Sequence, residues 1–233
     1  MSNTPLRSGL LRLAEFERAE VEAFAAGLSE AQRLEAGTFE RWSARDHLAH
    51  ISAWMGRQAD RLSSVNPGQG TQDFNDEEID AENARIYNAY HGLPWEAVLA
   101  EFRQANAALA KQVQSLSEEQ LNGPYNPTGL QGQRLWRGIG SDVFMHPMTH
   151  LMQYCSERGL AGLTSRLQQA FKDSADVFGN IPEWQGLVNY NLACLYALNG
   201  QKEQARMTLA GALRLRPDLT EWSKEDPDLR SLG

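Results

Sequence analysis

Apolar residues recur along this chain at spacings of three and four, the period of an amphipathic helix. No stretch of useful length alternates with the period of two that a half-buried strand needs, so the sequence predicts no sheet. Leu6 to Leu28 places Leu10, Leu11, Leu13, Phe16, Val21 and Phe24 at helical spacing, and Pro5 stands where it can open the first turn. Ser43-Ala44-Arg45-Asp46 reads as a cap followed three residues on by an acid. It begins a second helix with Leu48, Ile51, Trp54, Met55 and Leu62, which Asn66-Pro67-Gly68 breaks. Asp76 to Tyr90 is a shorter amphipathic segment with Ile79, Ile86 and Tyr87. Pro94 to Leu116 is long and carries Trp95, Val98, Leu99, Phe102, Leu109 and Val113. Ser117 to Gln120 opens one more turn before a Gly- and Pro-rich loop, Asn122 to Gly132. A fourth long helix runs from about Trp136 to Arg158 and ends at Gly159, a C-terminal cap.

Four long amphipathic helices with one extended crossover predict an all-α protein whose residues 1–162 form a four-helix bundle. After Gly162 the pattern changes, and 163–233 reads as a helical appendage. Leu163 to Phe178 forms one helix, stopped by Gly179-Asn180-Ile181-Pro182; helices at about Glu183 to Leu198 and Lys202 to Leu215 follow, joined by Asn199-Gly200. This pair, over 186–219, resembles a single tetratricopeptide repeat. Leu192, Ala193, Tyr196, Gly200, Ala205, Leu209, Ala212 and Pro217 occupy its packing, turn and terminal-proline positions, while Asn189 stands where the motif has its first aromatic. One such repeat cannot bury its own face. It must pack on Leu163 to Phe178, on the bundle or on another chain, which leaves a homodimer and a protein partner open. In the first case Leu192, Tyr196, Leu209 and Leu213 meet Leu163, Leu167 and Phe171.

Charge narrows the function classes. Lys and Arg total 22 against 30 Asp and Glu, a formal charge of −8, so the chain lacks the basic footprint of a nucleic-acid binder. No apolar run approaches the roughly 20 residues of a membrane span. The first fifteen residues lack the order of a secretory signal, so the expected location is cytoplasmic. Cys155 and Cys194 are the only cysteines and lie far apart, which excludes a disulfide framework and a cysteine-rich zinc site.

The candidate chemistry lies in five histidines: His47, His50, His91, His146 and His150. His146 and His150 are four apart on the fourth helix, so they project from one face and can share an ion. His50 lies on the second helix, in the stripe shared with His47 and Trp54, which is inward if Trp54 is core, and it supplies a third ligand if the bundle joins helices two and four. Three neutral imidazoles leave the +2 charge of a divalent ion intact and positions open, which describes a Lewis-acid site. Zinc, nickel, iron and manganese all tolerate that donor set. Pro147, between the two histidines, either strains the helix locally or marks a later helix start. Because imidazole ligates only when neutral, binding is expected above about pH 6.5. His47 reads as solvent-facing, Asp46 as a first-turn acid, Asp142 as a partner for His146, and Cys155 as an inert buried thiol. Arg134 and Arg137 can meet an anion at the mouth.

Trp42-Ser43-Ala44-Arg45-Asp46-His47-Leu48-Ala49-His50-Ile51-Ser52-Ala53-Trp54 resembles the second-helix signature of the DinB/YfiT-like superfamily. Within it the chain is most similar to the ClbS/DfsB-like branch, on Asn83-Ala84-Arg85-Ile86-Tyr87 and Pro94-Trp95-Glu96-Ala97-Val98-Leu99. The resemblance covers residues 5–160. It implies a bacterial four-helix bundle that binds a divalent metal through one histidine of helix two and two of helix four, here His50, His146 and His150. It also implies a small-molecule enzyme of stress or toxin protection, in which the ion activates water or a low-molecular-weight thiol against an electrophile. Because branch members do not all keep the triad, a second reading is metal-free. There a pocket of Trp54, Tyr87, Trp95 and Trp136 holds a reactive natural product, and His50 is the catalytic base. A third makes the bundle a scaffold and the repeat a docking module.

Overall fold

The protein is described from a computed structural model over residues 5–63, 76–125 and 133–233. The break at Asn66-Pro67-Gly68 and residues 126–132 of the Gly- and Pro-rich loop lie outside the described residues. The chain folds as two units, one of Leu6–Tyr154 and one formed chiefly by Cys155–Gly233.

Among the described residues the first unit is mainly helical, with its long helices close to where the apolar spacing puts them. Helix α1 (Leu6–Gly27) buries Leu10, Leu13, Val21 and Phe24. A short α2 (Glu30–Leu34) follows, which apolar periodicity missed. Its signal was polar: the Ser29 hydroxyl accepts the Gln32 N–H, and the Gln32 side chain accepts the Ser29 N–H. Next come α3 (Ala44–Ser63), α4 (Asp76–Tyr90), α5 (Trp95–Ser115) and the single turn α6 (Glu118–Leu121), capped by Ser117 through the same reciprocal box. The expectation of no sheet needs one correction. Pro124–Tyr125 and Gln133–Arg134 form a two-residue antiparallel ladder, too short for any periodicity to register.

The long helices surround one core. Helix α3 packs on α5, and α1 packs on α5 and on α7 (Leu135–Gly140). Side chains fix the directions. Arg103 of α5 holds Glu22 of α1 through two hydrogen bonds of 2.6 and 2.8 Å, and Arg7 near the start of α1 donates to the Leu116 carbonyl just past the end of α5. Thus α1 and α5 are antiparallel. Arg45, at the start of α3, donates to the Leu93 carbonyl just before α5; these two helices run in the same direction, as the α4 crossover requires.

The last helix of this unit is interrupted, and the interruption accounts for Pro147. Between α7 and α8 (His146–Glu157) lies a π-helical turn, Ser141–Met145, where the His146 N–H reaches the Ser141 carbonyl five residues back. Proline has no N–H, and in a continuous α-helix its ring collides with the carbonyl four residues earlier. The wider turn just before Pro147 relieves that collision. Its one additional residue rotates everything after it by about 100°, and so sets which face of α8 carries His146 and His150.

Glu17 is fully buried on α1. Asn106 of α5 donates to its Oε2 at 2.9 Å, and its Oε1 has no hydrogen-bond partner. Burial pushes the carboxyl well above its ordinary range, and the bond from Asn106 opposes this only in part. The folded state therefore binds the proton more tightly than the unfolded chain, so Glu17 disfavours folding increasingly as pH rises above the ordinary carboxylate range. Glu17→Gln removes that penalty and keeps an acceptor for Asn106. It is expected to raise stability by about 1–3 kcal/mol at pH 8, the scale of an unsatisfied buried group, and far less at pH 4.5, as urea denaturation at the two pH values checks.

In the second unit α9 (Ala161–Ser174), α10 (Pro182–Leu198) and α11 (Lys202–Leu215) follow the predicted pattern. The first stops at Ser174, four residues short of the expected end, because Phe178 turns inward onto Trp184, ring centroids 5.1 Å apart. The Trp184 indole N–H closes the Ser174 carbonyl at 2.9 Å. Gly200, at φ +74°, makes the turn between α10 and α11. Helix α10 packs on α9, on α11 and on the closing 3-10 turn Pro227–Leu232. Leu167, Phe171, Leu192 and Tyr196 are buried, and Leu163, Leu209 and Leu213 are half-buried.

The tail after Leu215, for which the sequence pattern predicts no element, adds the turn Pro217–Leu219, a short α12 (Trp222–Glu225) and that closing turn. Buried Asp226 anchors it: one carboxylate oxygen accepts the Tyr190 hydroxyl at 2.8 Å, the other the Asp228 N–H at 3.0 Å. Asp226→Ala leaves the Tyr190 hydroxyl buried without its acceptor. A loss of about 1–3 kcal/mol in urea denaturation is expected, and Tyr190→Phe in the same background should recover part of it.

Candidate metal centre

The site begins with the start of α3. The Ser43 N–H and hydroxyl both donate to Asp46 Oδ2, at 2.8 and 2.6 Å, and the Ser43 hydroxyl oxygen accepts the Asp46 N–H at 3.3 Å. This reciprocal cap fixes the first turn, and the turn fixes His47 and His50 on the inner side of α3. Facing them, α8 presents His146 and His150 one turn apart.

The three histidines expected to act together do converge. His50 Nε2 and His150 Nε2 each lie 3.0 Å from His146 Nε2. The ligand nitrogens of all three fall within 4.8 Å of one another. Two nitrogens bound to one ion at 2.0–2.1 Å in tetrahedral array are about 3.3 Å apart, so each of the two contacts to His146 lies within a few tenths of an ångström of that spacing. His146 Nε2 cannot satisfy two other ring nitrogens at once, since each nitrogen of a neutral imidazole carries either one N–H or one lone pair. A cation can accept all three lone pairs at once, so the residues present fit a divalent ion.

The rings are held in the form that ligates. Burial, then the neighbouring His146 and His47, pushes His50 down to about 2. Burial alone takes His146 to about 4. His150 is driven well below its ordinary value by burial first and by the other three rings second. All three are neutral at physiological pH.

Two neighbours were misjudged in the sequence. His47 reads there as solvent-facing, but it is 1 % exposed, and its Nδ1 lies 3.2 Å from His150 Nδ1. Its spacing three before His50 already placed both on one helix face, so the reading of His50 as an inward ligand should have carried His47 inward with it. Trp42, noted only as the residue that opens the signature, lies against three imidazoles. Its ring is stacked on His150 at 5.8 Å and 13°, and lies 4.9 Å from His50 and 5.4 Å from His47.

The expected aromatic pocket has a different outcome. Trp54 donates to Asn83 Oδ1 at 3.0 Å and has the Arg57 guanidinium 5.4 Å from its ring, which stands 6.2 Å from His50. Tyr87 donates to the Gly37 carbonyl and stacks on His91. Trp95 and Trp136 are buried core residues. A cleft of about 460 Å³ lies between α3, α4 and α5, lined by Gly56, Arg57, Glu82, Arg85 and Tyr90 among others, and none of the four aromatics lines it. Arg57 and Arg85 both pair with buried Glu82 there. Elsewhere, exposed His91 stands 3.6 Å from Asp46, Arg134 donates to the Asn122 carbonyl, and Asp142 lies in the π turn. Burial pushes the Cys155 thiol up to about 12, which makes it inert as a nucleophile.

Fold and site together define an all-α protein with a three-histidine group able to hold a metal ion. A family model of the DinB superfamily matches residues 13–153, and the chain belongs to that superfamily. Neither the curated proteins nor the solved structures give a significant match. No helix among the described residues is long and apolar enough to cross a membrane.

Proposed function

We propose that this protein is a metal-dependent small-molecule enzyme of the DinB superfamily. In this reading His50, His146 and His150 hold a divalent ion, and the substrate is an electrophile attacked by water or by a low-molecular-weight thiol. The supporting observation is the approach of His50 Nε2 and His150 Nε2 to 3.0 Å from His146 Nε2. When bound, such an ion supplies Lewis acidity, lowering the pKa of water or a thiol so that the nucleophile forms near neutral pH. The chain's own contribution is to keep three uncharged donors fixed on two rigid helices, and to cover them with Trp42. Metal analysis and calorimetric titration with Zn²⁺, Ni²⁺, Fe²⁺ and Mn²⁺, on protein purified without a histidine tag, test the reading. Saturable binding of one ion is expected; no binding by any of them refutes it.

The metal-free alternative, a ClbS-like hydrolase with His50 as base, has less support. A general base works best near its own pKa, and burial holds His50 at about 2. The C-terminal hairpin carries a separate proposal. Residues 186–219 form one tetratricopeptide-like unit, supported by the Gly200 turn and by fully buried Ala205 and Ala212 at its small packing positions. Exposed Leu198 and Met207 in this unit, and exposed Trp222 just after it, are consistent with a docked protein partner.

A further inference from the structure

We propose that His47 is a positioning residue for this centre: it accepts the proton on His150 Nδ1 and so holds His150 with its Nε2 lone pair directed at the ion. The inference rests on the metal-binding reading above and adds a fourth histidine to it. His150 has both ring nitrogens engaged in one line of contacts. Its Nε2 lies 3.0 Å from His146 Nε2, and its Nδ1 lies 3.2 Å from His47 Nδ1. A neutral imidazole carries one proton. If the Nε2 lone pair is the ligand, the proton is on Nδ1, and the atom positioned to accept it is His47 Nδ1. His47 is then the tautomer protonated on Nε2.

Packing against neighbouring rings fixes the position of His47. It is buried at 1 % exposure, its ring is 5.4 Å from that of His150 at 54°, and the edges of Trp42 and Tyr154 pack against it at 5.4 and 6.0 Å. Its helix is anchored one residue earlier by the Ser43–Asp46 cap. Metal-bound histidines are commonly oriented in this way by a carboxylate or a carbonyl. An imidazole in that place orients the ring without adding negative charge, so it leaves the charge of the ion undiminished beyond what three neutral ligands allow.

The test uses Co²⁺ as the probe, titrated into the full chain without a histidine tag and followed by d–d absorption and calorimetry. His47→Asn keeps an acceptor oxygen near the Nδ1 position, whereas His47→Leu has similar bulk and no acceptor. His47→Leu is expected to weaken Co²⁺ binding by about 10–100-fold and to shift the absorption band, with His47→Asn recovering most of both. Equal losses in the Leu and Asn variants, or none in either, overturn the proposal. His150→Ala separates it from the reading beneath: if that variant still binds Co²⁺ like the wild type, the metal centre itself is wrong. Imidazole ¹⁵N spectra of the Zn²⁺-loaded wild type need no variant to fold. They should show His150 protonated on Nδ1 and His47 on Nε2; the opposite tautomer at either ring overturns the proposal.

Discussion

Alanine at His146 or His150 is expected to remove the stabilisation that a divalent ion confers on this protein. An ion at a hundred times its dissociation constant adds about 2.7 kcal/mol to the folded state, or about 5–10 °C in the thermal midpoint of a domain of this size. The same rings impose a pH dependence on the metal-free protein. His146 is lowered to about 4 by burial, so between that value and about 6.5 the unfolded chain binds more protons than the folded one. The stability this ring contributes is therefore fully present above about pH 6.5 and is lost as pH falls toward 4. Over that window it amounts to about 3 kcal/mol, and His146→Ala should flatten the slope.

Burial also changes the window expected from ordinary histidines. In the folded protein protons compete with the ion only near pH 4, not at 6.5, so the metal-induced rise should persist at pH 5. Thermal melts with and without Zn²⁺ at pH 7.5 and pH 5 decide the point. A rise at pH 7.5 that vanishes at pH 5 would show that the rings titrate as solvated groups. A full rise in His150→Ala would falsify ligation by that residue.

Gly37→Ala should damage both the fold and the metal centre. A methyl group there collides with Asp46 Oδ2 and with the Ser43 backbone nitrogen, the two partners that form the cap of α3. The cap cannot yield without loosening the turn that carries His47 and His50. Overpacking of this kind costs about 1–3 kcal/mol, and the displacement should also weaken metal binding. Gly56→Ala is the contrast, because nothing lies within 4 Å of a methyl at that position in the same helix. It should be neutral or stabilising by about 0.5–1 kcal/mol, since alanine is the better helix former. Chemical denaturation of both variants, with Co²⁺ titration of the first, checks the pair. Equal stability of the two would mean that Gly37 does not make this close approach.

Helix positions were legible because burial of one face leaves a periodic record. Asp76–Tyr90 and Lys202–Leu215 fall at the predicted bounds. The single turn α2 and the two-residue ladder were hard to read because they are shorter than any period, whereas the turn α6 is legible from Ser117. At α2 the signal was the Ser29–Gln32 box, which is local chemistry and not patterning. The end of α9 depended on Phe178 meeting Trp184, a contact between residues outside the helix itself.

For the site, the sequence by itself determined that His146 and His150 share a helix face and that His47 and His50 share another, because helical spacing fixes neighbours along one element. Through Pro147 it also marked the last helix as either strained locally or starting later. It could not determine how far around α3 the buried face extends, so the sequence reads His47 as solvent-facing although it shares a face with His50. That extent belongs to tertiary packing: the π turn rotates α8, the Ser43–Asp46 cap sets α3, and their docking brings nitrogens from residues 96 apart to 3.0 Å. Spacing along one helix is a covalent constraint and can be read from the chain. The meeting of two helices is set by the packing of every side chain between them, which no single segment encodes.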